Sequence, residues 1–497
     1  MRNIRNGFAV LFWSLIAGQT SNLLAQSPGT FTATGNMTAA RAWHTATLLP
    51  DGRVLIAGGY GFVLTNDFYD FETFASAEIY DPSTGSFSAT GNMTTARAQH
   101  TAILLANGKV LIAGGDTVIP SSAELYDPMT GLVTGIGSMI DNGTPFHSAT
   151  LLADGRVLFV AEYSNKAAAQ VYDPSTSTFA SAGSPIAPST GSNNATLLPD
   201  GKVLVVAWAD ELDGELYDPG TNAFVATEWP RQPWIQSPAA LLLNGQVLLP
   251  GGVDPLDNKT VAAEVYDTAT QFFAQVGNMT DIRTGDTATL LPDGTVLIAG
   301  GDDGPDVNVT TSSTELYDPE TRAADGFDTV LRGMFSSAGN MVAPREEHTA
   351  TLLNNGKVLI AGGLNVVLGL ELSSAELFTP ASLIPAPGLF SLSGDGAGQG
   401  AIWHSATGGI VSASNPAIPG EVLSMYAANL APGGVVPPQV IVGGQLAQIP
   451  YFGAAPGYQG YFQINFRLPE GDVEGAAVPL RLSYLDRSSN VVSIGVQ

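Results

Sequence analysis

Four short hydrophobic segments recur in a fixed order along most of this chain. In the first copy, residues 45–49 precede an Asp-Gly turn, and residues 54–57 form an apolar run that ends at a Gly-Gly doublet. An Ala-Glu-Ile-Tyr segment stopped by Asp81-Pro82 follows, and then an alternating Ser-Phe-Ser-Ala segment. Asp-Gly between apolar runs is a strong signal of a two-residue hairpin turn, and a short apolar run between turns is typical of a strand buried on both faces. The pattern predicts four short strands in each copy.

The turn glycine of this unit recurs seven times, at Gly52, Gly108, Gly155, Gly201, Gly245, Gly294 and Gly356. Four short strands repeated radially predict an all-β fold, a β-propeller with seven four-stranded blades. The last copy stops after its third strand at Pro380, whereas residues 31–35, before the first copy, match the fourth strand. We therefore expect the N-terminal segment to be the outer strand of the seventh blade and to close the ring.

The repeated residues resemble those of the kelch repeat. They are Arg-x-x-His before the first strand, the Gly-Gly doublet, and Glu-x-Tyr-Asp-Pro at the end of the third strand. This resemblance covers residues 31–380 and implies a seven-bladed kelch-type β-propeller. Segments at 398–402, 420–424 and 463–466 resemble an uncharacterised C-terminal module of large exported bacterial proteins. Short strand candidates separated by Gly and Pro turns predict that this module is an immunoglobulin-like β-sandwich.

The chain divides into four predicted parts. Residues 1–25 combine two Arg, an apolar core and a small residue before a polar start, which is the pattern of a secretory signal peptide. Residues 26–380 are the propeller, 381–388 a linker, and 389–497 the C-terminal β-sandwich. The leader predicts a secreted protein, extracellular or at the cell surface, with no membrane insertion after the leader is removed.

Composition excludes several classes of function. The chain has a formal net charge of −26, only 19 Lys and Arg residues, and no Cys. An acidic chain does not bind a nucleic-acid backbone by charge. A chain without Cys has no disulfide, thiolate ligand or Cys nucleophile. We expect no cofactor, no metal site and no nucleic-acid partner, and an extracellular glycan or protein as the partner.

Polar residues that repeat with the blades are expected to be structural. One position is occupied by His44, His100, His147 and His348. A second is occupied by Arg41, Arg97, Arg283 and Arg345, and a third by Glu78, Glu124, Glu215, Glu264, Glu315 and Glu376. Imidazole is a ligand for Cu and Zn, but equivalent residues of different blades lie apart around a ring. We expect each His to serve its own blade, and the Arg and Glu residues to pair.

Positions at which the copies differ are candidates for ligand contact. By resemblance to kelch rings, the first strand lines the channel, so the residue before the repeated His lies at one mouth. The candidates there are Trp43, Gln99, Phe146, Asn193, Gln236 and Glu347. Aromatic and amide side chains suit stacking on a sugar and hydrogen bonding to it.

An aromatic insert at residues 60–74 is a second candidate surface. It carries Tyr60, Phe62, Phe68, Tyr69, Phe71 and Phe74. Such a density of aromatic residues on one long connection is typical of a binding surface. The alternative is that the insert folds down as a local cap.

These observations favour a secreted, non-catalytic binding protein that presents propeller loops to a glycan or protein, and not an enzyme. The alternative is an extracellular carbohydrate-active enzyme on a propeller scaffold. Galactose oxidase also uses a seven-bladed kelch ring, but as known from that family its copper site needs a Cys cross-linked to Tyr. A hydrolase or lyase needs an acid–base cluster at one mouth, and Glu347 and Asp286 occupy neighbouring repeat positions on adjacent blades.

Overall fold

The computed structural model describes residues 29–65, 68–115, 121–140, 147–163, 166–186, 194–206, 214–228, 238–253, 259–302, 309–321, 333–431, 435–471 and 473–497. These residues form strands and no helix, as the predicted all-β class requires. The described part of the chain accordingly holds no helix that is long and apolar enough to cross a membrane. The predicted leader, 1–25, lies outside the described residues.

Seven antiparallel sheets of four strands form a β-propeller, and each first strand contacts the first strands of both neighbouring blades around a closed ring. The first, innermost strands are Thr45–Leu48, Thr101–Leu104, His147–Leu151, Asn194–Leu197, Ala240–Leu241, Thr287–Leu290 and Thr349–Leu352. The second strands are Val54–Ala57, Val110–Ala113, Val157–Tyr163, Val203–Val206, Val247–Val253, Val296–Ala299 and Val358–Ala361. The third strands are Ala77–Asp81, Ser122–Asp127, Lys166–Asp173, Gly214–Asp218, Lys259–Asp267, Ser313–Asp318 and Ala375–Thr379. The outer strands of blades one to six are Ser86–Ala89, Leu132–Ser138, Thr178–Ser181, Ala223–Ala226, Phe272–Gln275 and Met334–Asn340.

The outer strand of blade seven is the N-terminal strand Thr30–Ala33, which pairs antiparallel with Ala375–Thr379. Phe31 lies opposite Phe378, with their ring centroids 5.0 Å apart. The predicted closure of the ring is therefore confirmed. Without this strand the third strand of blade seven would be a sheet edge with unpaired N–H and C=O groups, which is a site of aggregation.

The apolar core of the propeller lies between neighbouring blades. Second strands such as Val54–Ala57 are buried along their whole length. One cluster joins Leu55 and Ile79 of blade one to Val110 and Ile112 of blade two. Complete burial of one such side chain stabilises a protein by about 1.5–3 kcal/mol, so the ring is held together mainly by contacts between blades.

The predicted C-terminal β module is present as a nearly closed, barrel-like sheet with its own core. Its strands are Gly388–Leu389, Ile402–His404, Val422–Ala428, Gln439–Val442, Gln445–Ala454, Tyr461–Arg467, Gly475–Tyr484, Arg487–Ser488 and Val492–Val496. The long strand Gln445–Ala454 pairs with Gln439–Val442 near its start and with Tyr461–Arg467 further along, and its register shifts between Gln448 and Tyr451. This irregularity allows one strand to join both halves of the sheet.

The C-terminal module contacts the end of the propeller at which the first strands turn into the second. Arg481 Nη2 donates to the carbonyl of Ala106 at 3.1 Å, and the Val435 N–H donates to the carbonyl of Leu243 at 2.8 Å. Leu485 packs both on the core of the module and on the cluster between blades six and seven. The opposite end, where the chain enters each first strand, is therefore the one available to a ligand; we name it the entry mouth.

Candidate functional site

The residues before the repeated His positions link neighbouring blades around the entry mouth. The Gln99 N–H donates to the Trp43 carbonyl (3.0 Å), Trp43 to Glu347 (3.2 Å), and Glu347 to Gly285 (2.9 Å). Trp43, Gln99 and Glu347 hold positive φ angles of 53°, 54° and 51°, a conformation that is unfavourable for non-glycine residues and is concentrated at functional sites. The structure thus brings three predicted candidates together. Phe146, Asn193 and Gln236 lie outside the described residues.

The aromatic insert extends this mouth as a β-hairpin of strands Tyr60–Thr65 and Phe68–Thr73. Tyr60 stacks on Trp43 with ring centroids 4.4 Å apart and an interplanar angle of 20°. Phe71 lies against Tyr60 at 4.2 Å and is 56% exposed, and Phe62, 40% exposed, meets Phe71 edge-on. Trp43 and the hairpin therefore form one continuous aromatic strip.

The other aromatic residues of the insert do not share one role. The Phe74 ring lies 5.3 Å from the guanidinium carbon of Arg41, so it packs on a buried structural residue. Phe68 and Tyr69 belong to the second strand of the hairpin, and their side chains lie outside the described part of the structure.

Two carboxyl groups with raised pKa values belong to neighbouring blades at the entry mouth. A Cβ atom placed on Gly285 would lie 3.2 Å from Oε1 of Glu347, so the Glu347 carboxyl reaches the residue that precedes Asp286 in the chain. Burial raises the pKa of Glu347 to about 7. Burial also raises the pKa of Asp286 to about 7, and the charge of Glu347 acts in the same direction while Arg283 opposes it. Both groups can therefore exchange a proton near neutral pH.

Asp286 stands in blade six where four other blades have the repeated His. In those blades the His Nε2 reaches a Thr of the preceding blade, as His44 reaches Thr349 at 3.1 Å. In blade five, which precedes the blade of Asp286, the position of this Thr is occupied by Pro238, which has no hydroxyl group. Among the described residues, neither carboxylate oxygen of Asp286 has a hydrogen-bond partner, although the residue is only 8% exposed. A buried polar group without a partner is costly, so this carboxyl is available to a ligand.

The repeated His residues are neutral links between blades. The contacts of Nε2 with Thr Oγ1 measure 2.9–3.1 Å and join His44 to Thr349, His100 to Thr45, His147 to Thr101 and His348 to Thr287. The prediction that each His serves its own blade is therefore wrong. Burial lowers the pKa of His100 and His348 to about 3, so these rings stay uncharged.

The repeated Arg and Glu residues form the predicted pairs within blades. The N–O distances are 2.7–3.1 Å for Arg41–Glu78, Arg97–Glu124, Arg283–Glu315 and Arg345–Glu376. In blade one, Arg41 Nη1 also donates to the carbonyl of Gly58 at 2.7 Å. These arginines are buried and each is paired with a Glu of its own blade, so they offer no exposed cationic group to a ligand at the mouth.

Comparison with known proteins identifies the fold. No protein-family model matches the chain, and no curated protein matches it. Its fold is similar to that of a fungal alcohol oxidase of the AA5 family solved in complex with copper, with a TM-score of 0.59 and 14% identity. The match covers 94% of this chain and 99% of the oxidase chain. At this identity, the likeness shows the fold and does not carry copper or alcohol oxidation over to this protein.

The residues of this chain do not fit a copper site. Copper favours imidazole and sulfur ligands, but the chain has no Cys. Four of its five His residues are in the repeat, with their Nε2 atoms bound to threonines of neighbouring blades. Within the described ranges, no three His, Cys, Asp or Glu residues are grouped so as to hold a metal ion.

This comparison corrects the expected function. The prediction of a non-catalytic binding protein, and with it the prediction that the chain is not an enzyme, is wrong because the fold that matches over nearly the whole chain belongs to a catalytic oxidase. The binding interpretation rested on the mixed aromatic and amide residues at the mouth. It gave too little weight to Asp286 and Glu347, whose shared burial the sequence does not reveal.

Proposed function

We propose that this protein is an extracellular carbohydrate-active enzyme that hydrolyses a neutral glycoside at the entry mouth. The observation that carries the proposal is the pair of Asp286 and Glu347, carboxyl groups of neighbouring blades whose pKa values burial raises to about 7. General acid–base catalysis is most efficient when the pKa of the catalytic group lies near the working pH. An ordinary exposed carboxyl group is fully ionised there and cannot donate a proton.

The pair supplies the two proton transfers that glycoside hydrolysis requires. Because burial raises both pKa values to about 7, the two carboxyl groups hold about one proton between them near neutral pH. The protonated carboxyl gives this proton to the glycosidic oxygen as the C–O bond breaks. The ionised carboxyl takes a proton from the water that attacks the sugar carbon. Water is thereby added across the bond, and the pair returns to its starting charge.

The charge of the mouth selects a neutral substrate. Burial raises the pKa of the Tyr60 hydroxyl, and the charges of Glu347, Glu371 and Glu346 raise it further, which places negative potential around the aromatic strip. An anionic sugar such as a uronate would be repelled, and this disfavours a uronate lyase. The stacked rings of Trp43 and Tyr60 instead offer an apolar surface to the face of a neutral sugar.

The finer assignments from the sequence enter this proposal. The Arg-x-x-His and Glu-x-Tyr-Asp-Pro motifs support a kelch-type propeller, and residues 389–497 support the exported C-terminal module. The pattern of residues 1–25 supports secretion. The substrate is then an extracellular glycan, and the net charge of −26 disfavours a nucleic-acid partner.

The test is hydrolysis by the chain without residues 1–25, assayed on neutral aryl glycosides and soluble neutral polysaccharides by release of reducing ends. Glu347→Gln and Asp286→Asn are each expected to lower kcat/KM by about 10²–10⁴-fold, the usual contribution of an acid–base group. Glu320→Gln is the matched control, because it removes the same charge from an exposed turn of blade six. Undiminished hydrolysis in both mouth variants would overturn the proposal, as would hydrogen peroxide formation from a sugar that depends on added Cu(II).

A further inference from the structure

The C-terminal module carries an aromatic surface that the entry mouth does not use. Three of its strands, Ile402–His404, Val422–Ala428 and Tyr461–Arg467, are neighbours in the sheet. Burial alternates along the two longer strands, so every second side chain points away from the core of the module. Trp403 lies opposite Ser424, and Tyr426 lies opposite Gln463.

Aromatic rings on this surface line a cleft of about 340 Å³. The lining residues are Phe390, Ala401, Trp403, Tyr426, Tyr458 and Tyr461. Trp403 meets Tyr426 at 5.6 Å and 73°, and Phe390 meets Tyr461 at 5.5 Å and 64°. The rings therefore stand at steep angles to one another and form walls around an open space rather than a closed stack. The volume lies at the lower end of the range of ligand pockets and admits a short stretch of a glycan.

These rings stay largely in contact with solvent. Tyr458 is 64% exposed, and Phe390 and Tyr461 are each 41% exposed. The core of the module is complete without them, since it is built from other side chains such as Leu423, Met425 and Ile464. Clustered exposed aromatic residues that do not contribute to a core mark a binding surface.

Uncharged polar groups continue the same surface. Ser424 Oγ and Gln463 Nε2 both donate to Oδ1 of Asn465 at 3.0 Å. Ser405 Oγ lies 2.6 Å from Ser424 Oγ. Neither the cleft lining nor this group contains a charged side chain. A hydrocarbon ligand would make no hydrogen bond to these amides and hydroxyls, and an anionic ligand would find no cation. A neutral sugar matches both parts of the surface, because it has apolar ring faces and hydroxyl edges.

We propose that this cleft, defined by Phe390, Ala401, Trp403, Tyr426, Tyr458 and Tyr461, binds a neutral carbohydrate chain. The site is separate from the carboxyl pair, and binding there involves no bond cleavage. The inference stands without the proposed hydrolysis, because it depends on the residues of the C-terminal module alone. If both proposals hold, the module keeps the enzyme on a polymeric substrate.

The test is binding of the chain without residues 1–25 to soluble β-glucan, galactomannan and starch, measured by affinity electrophoresis and calorimetry. Tyr458→Ala and Trp403→Ala are expected to weaken saturable binding to one of these polymers at least tenfold, in line with the loss of about 1.4 kcal/mol or more. Ile418→Ala is the control, because Ile418 is 54% exposed on the same module and belongs neither to the cleft lining nor to the polar group beside it. Tyr458 is the primary site of substitution, since its exposure makes a folding defect easy to exclude by the melting temperature.

A mouth variant separates the two proposals. Glu347→Gln is expected to bind the polymer with unchanged affinity, whatever its effect on hydrolysis, and polygalacturonate is expected not to bind. The proposal would be overturned by the absence of saturable binding to all three neutral polymers. It would also be overturned by equal loss in Ile418→Ala, or by full binding in both cleft variants.

Discussion

Asp286 links the acid–base site proposed at the entry mouth to the stability of the ring, so the site can be tested without a substrate. Burial raises the pKa of this carboxyl from its ordinary value of 3.8 to about 7. Between these values the folded protein binds more protons than the unfolded chain, so the free energy of unfolding falls as the pH rises through this window. Asp286→Asn removes the titrating group. The variant is therefore expected to be more stable than the wild type, by an amount that grows with pH.

The size of this effect follows from the two pKa values. From these values, linkage predicts that Asp286→Asn raises the free energy of unfolding above that of the wild type by roughly 2–3 kcal/mol more at pH 8 than at pH 5. The difference levels off above the pKa of Asp286 in the folded protein. Urea unfolding followed by tryptophan fluorescence at the two pH values measures it. Glu320→Gln, exposed in the same blade, is the matched control for the loss of one carboxyl group. A difference between Asp286→Asn and wild type that stays constant within about 0.5 kcal/mol would refute an Asp286 carboxyl that titrates near neutral pH.

Two further substitutions and one deletion test the stability of the ring itself. Thr349→Val removes the partner of His44 and is expected to lower the free energy of unfolding by about 1 kcal/mol, measured by urea titration. Arg97→Met leaves Glu124 buried without its cation and is expected to lower the free energy of unfolding by about 3–5 kcal/mol. The double variant Arg97→Met with Glu124→Leu should recover much of this loss, because it removes the unpaired buried charge. No recovery in the double variant would count against the pair. Deletion of residues 27–35 removes the outer strand of blade seven and is expected to lower the melting temperature of the propeller, so an unchanged value would contradict closure by this strand.

Features of the fold that depend on residues close together in the chain were predictable from the sequence. The Asp51-Gly52 turn and the apolar run at 54–57 each predict a local conformation. Both patterns recur in each copy, and the number of copies predicts the number of blades. The closing strand was predictable because its residues match the outer strand of blade one. The C-terminal cleft was not predictable, since Trp403 and Tyr461 come together only through the order of strands in the sheet.

The contact between blades made by each His was missed, although the sequence carried a signal for it. A Cβ on Gly58 would lie 2.7 Å from Cε1 of His100 in the next blade, so the first glycine of the doublet makes room for the following copy's imidazole. That glycine is replaced by Ala161 in copy three and by Ala207 in copy four. The copies that follow these two have Asn193 and Ser237 in place of His. Both copies that lack the glycine are thus followed by a copy that lacks the His, which indicates a partner in the neighbouring blade.

The departures from the repeat that define the entry mouth occur on three consecutive blades. Pro238 in blade five removes the hydroxyl that would face blade six, Gly285-Asp286 in blade six replaces a large residue and a His, and Glu347 in blade seven adds the second carboxyl. The arrangement of His with Thr, present at four junctions of the same ring, would give the side chain at this position a hydrogen-bond partner. Instead, Asp286 is buried with both oxygens unpaired among the described residues, which destabilises the folded ring. Departure from the His–Thr arrangement beside a second, half-buried carboxyl is typical of a site at which stability is lost in favour of reactivity. It is the physical support for the acid–base site that we propose at blades six and seven.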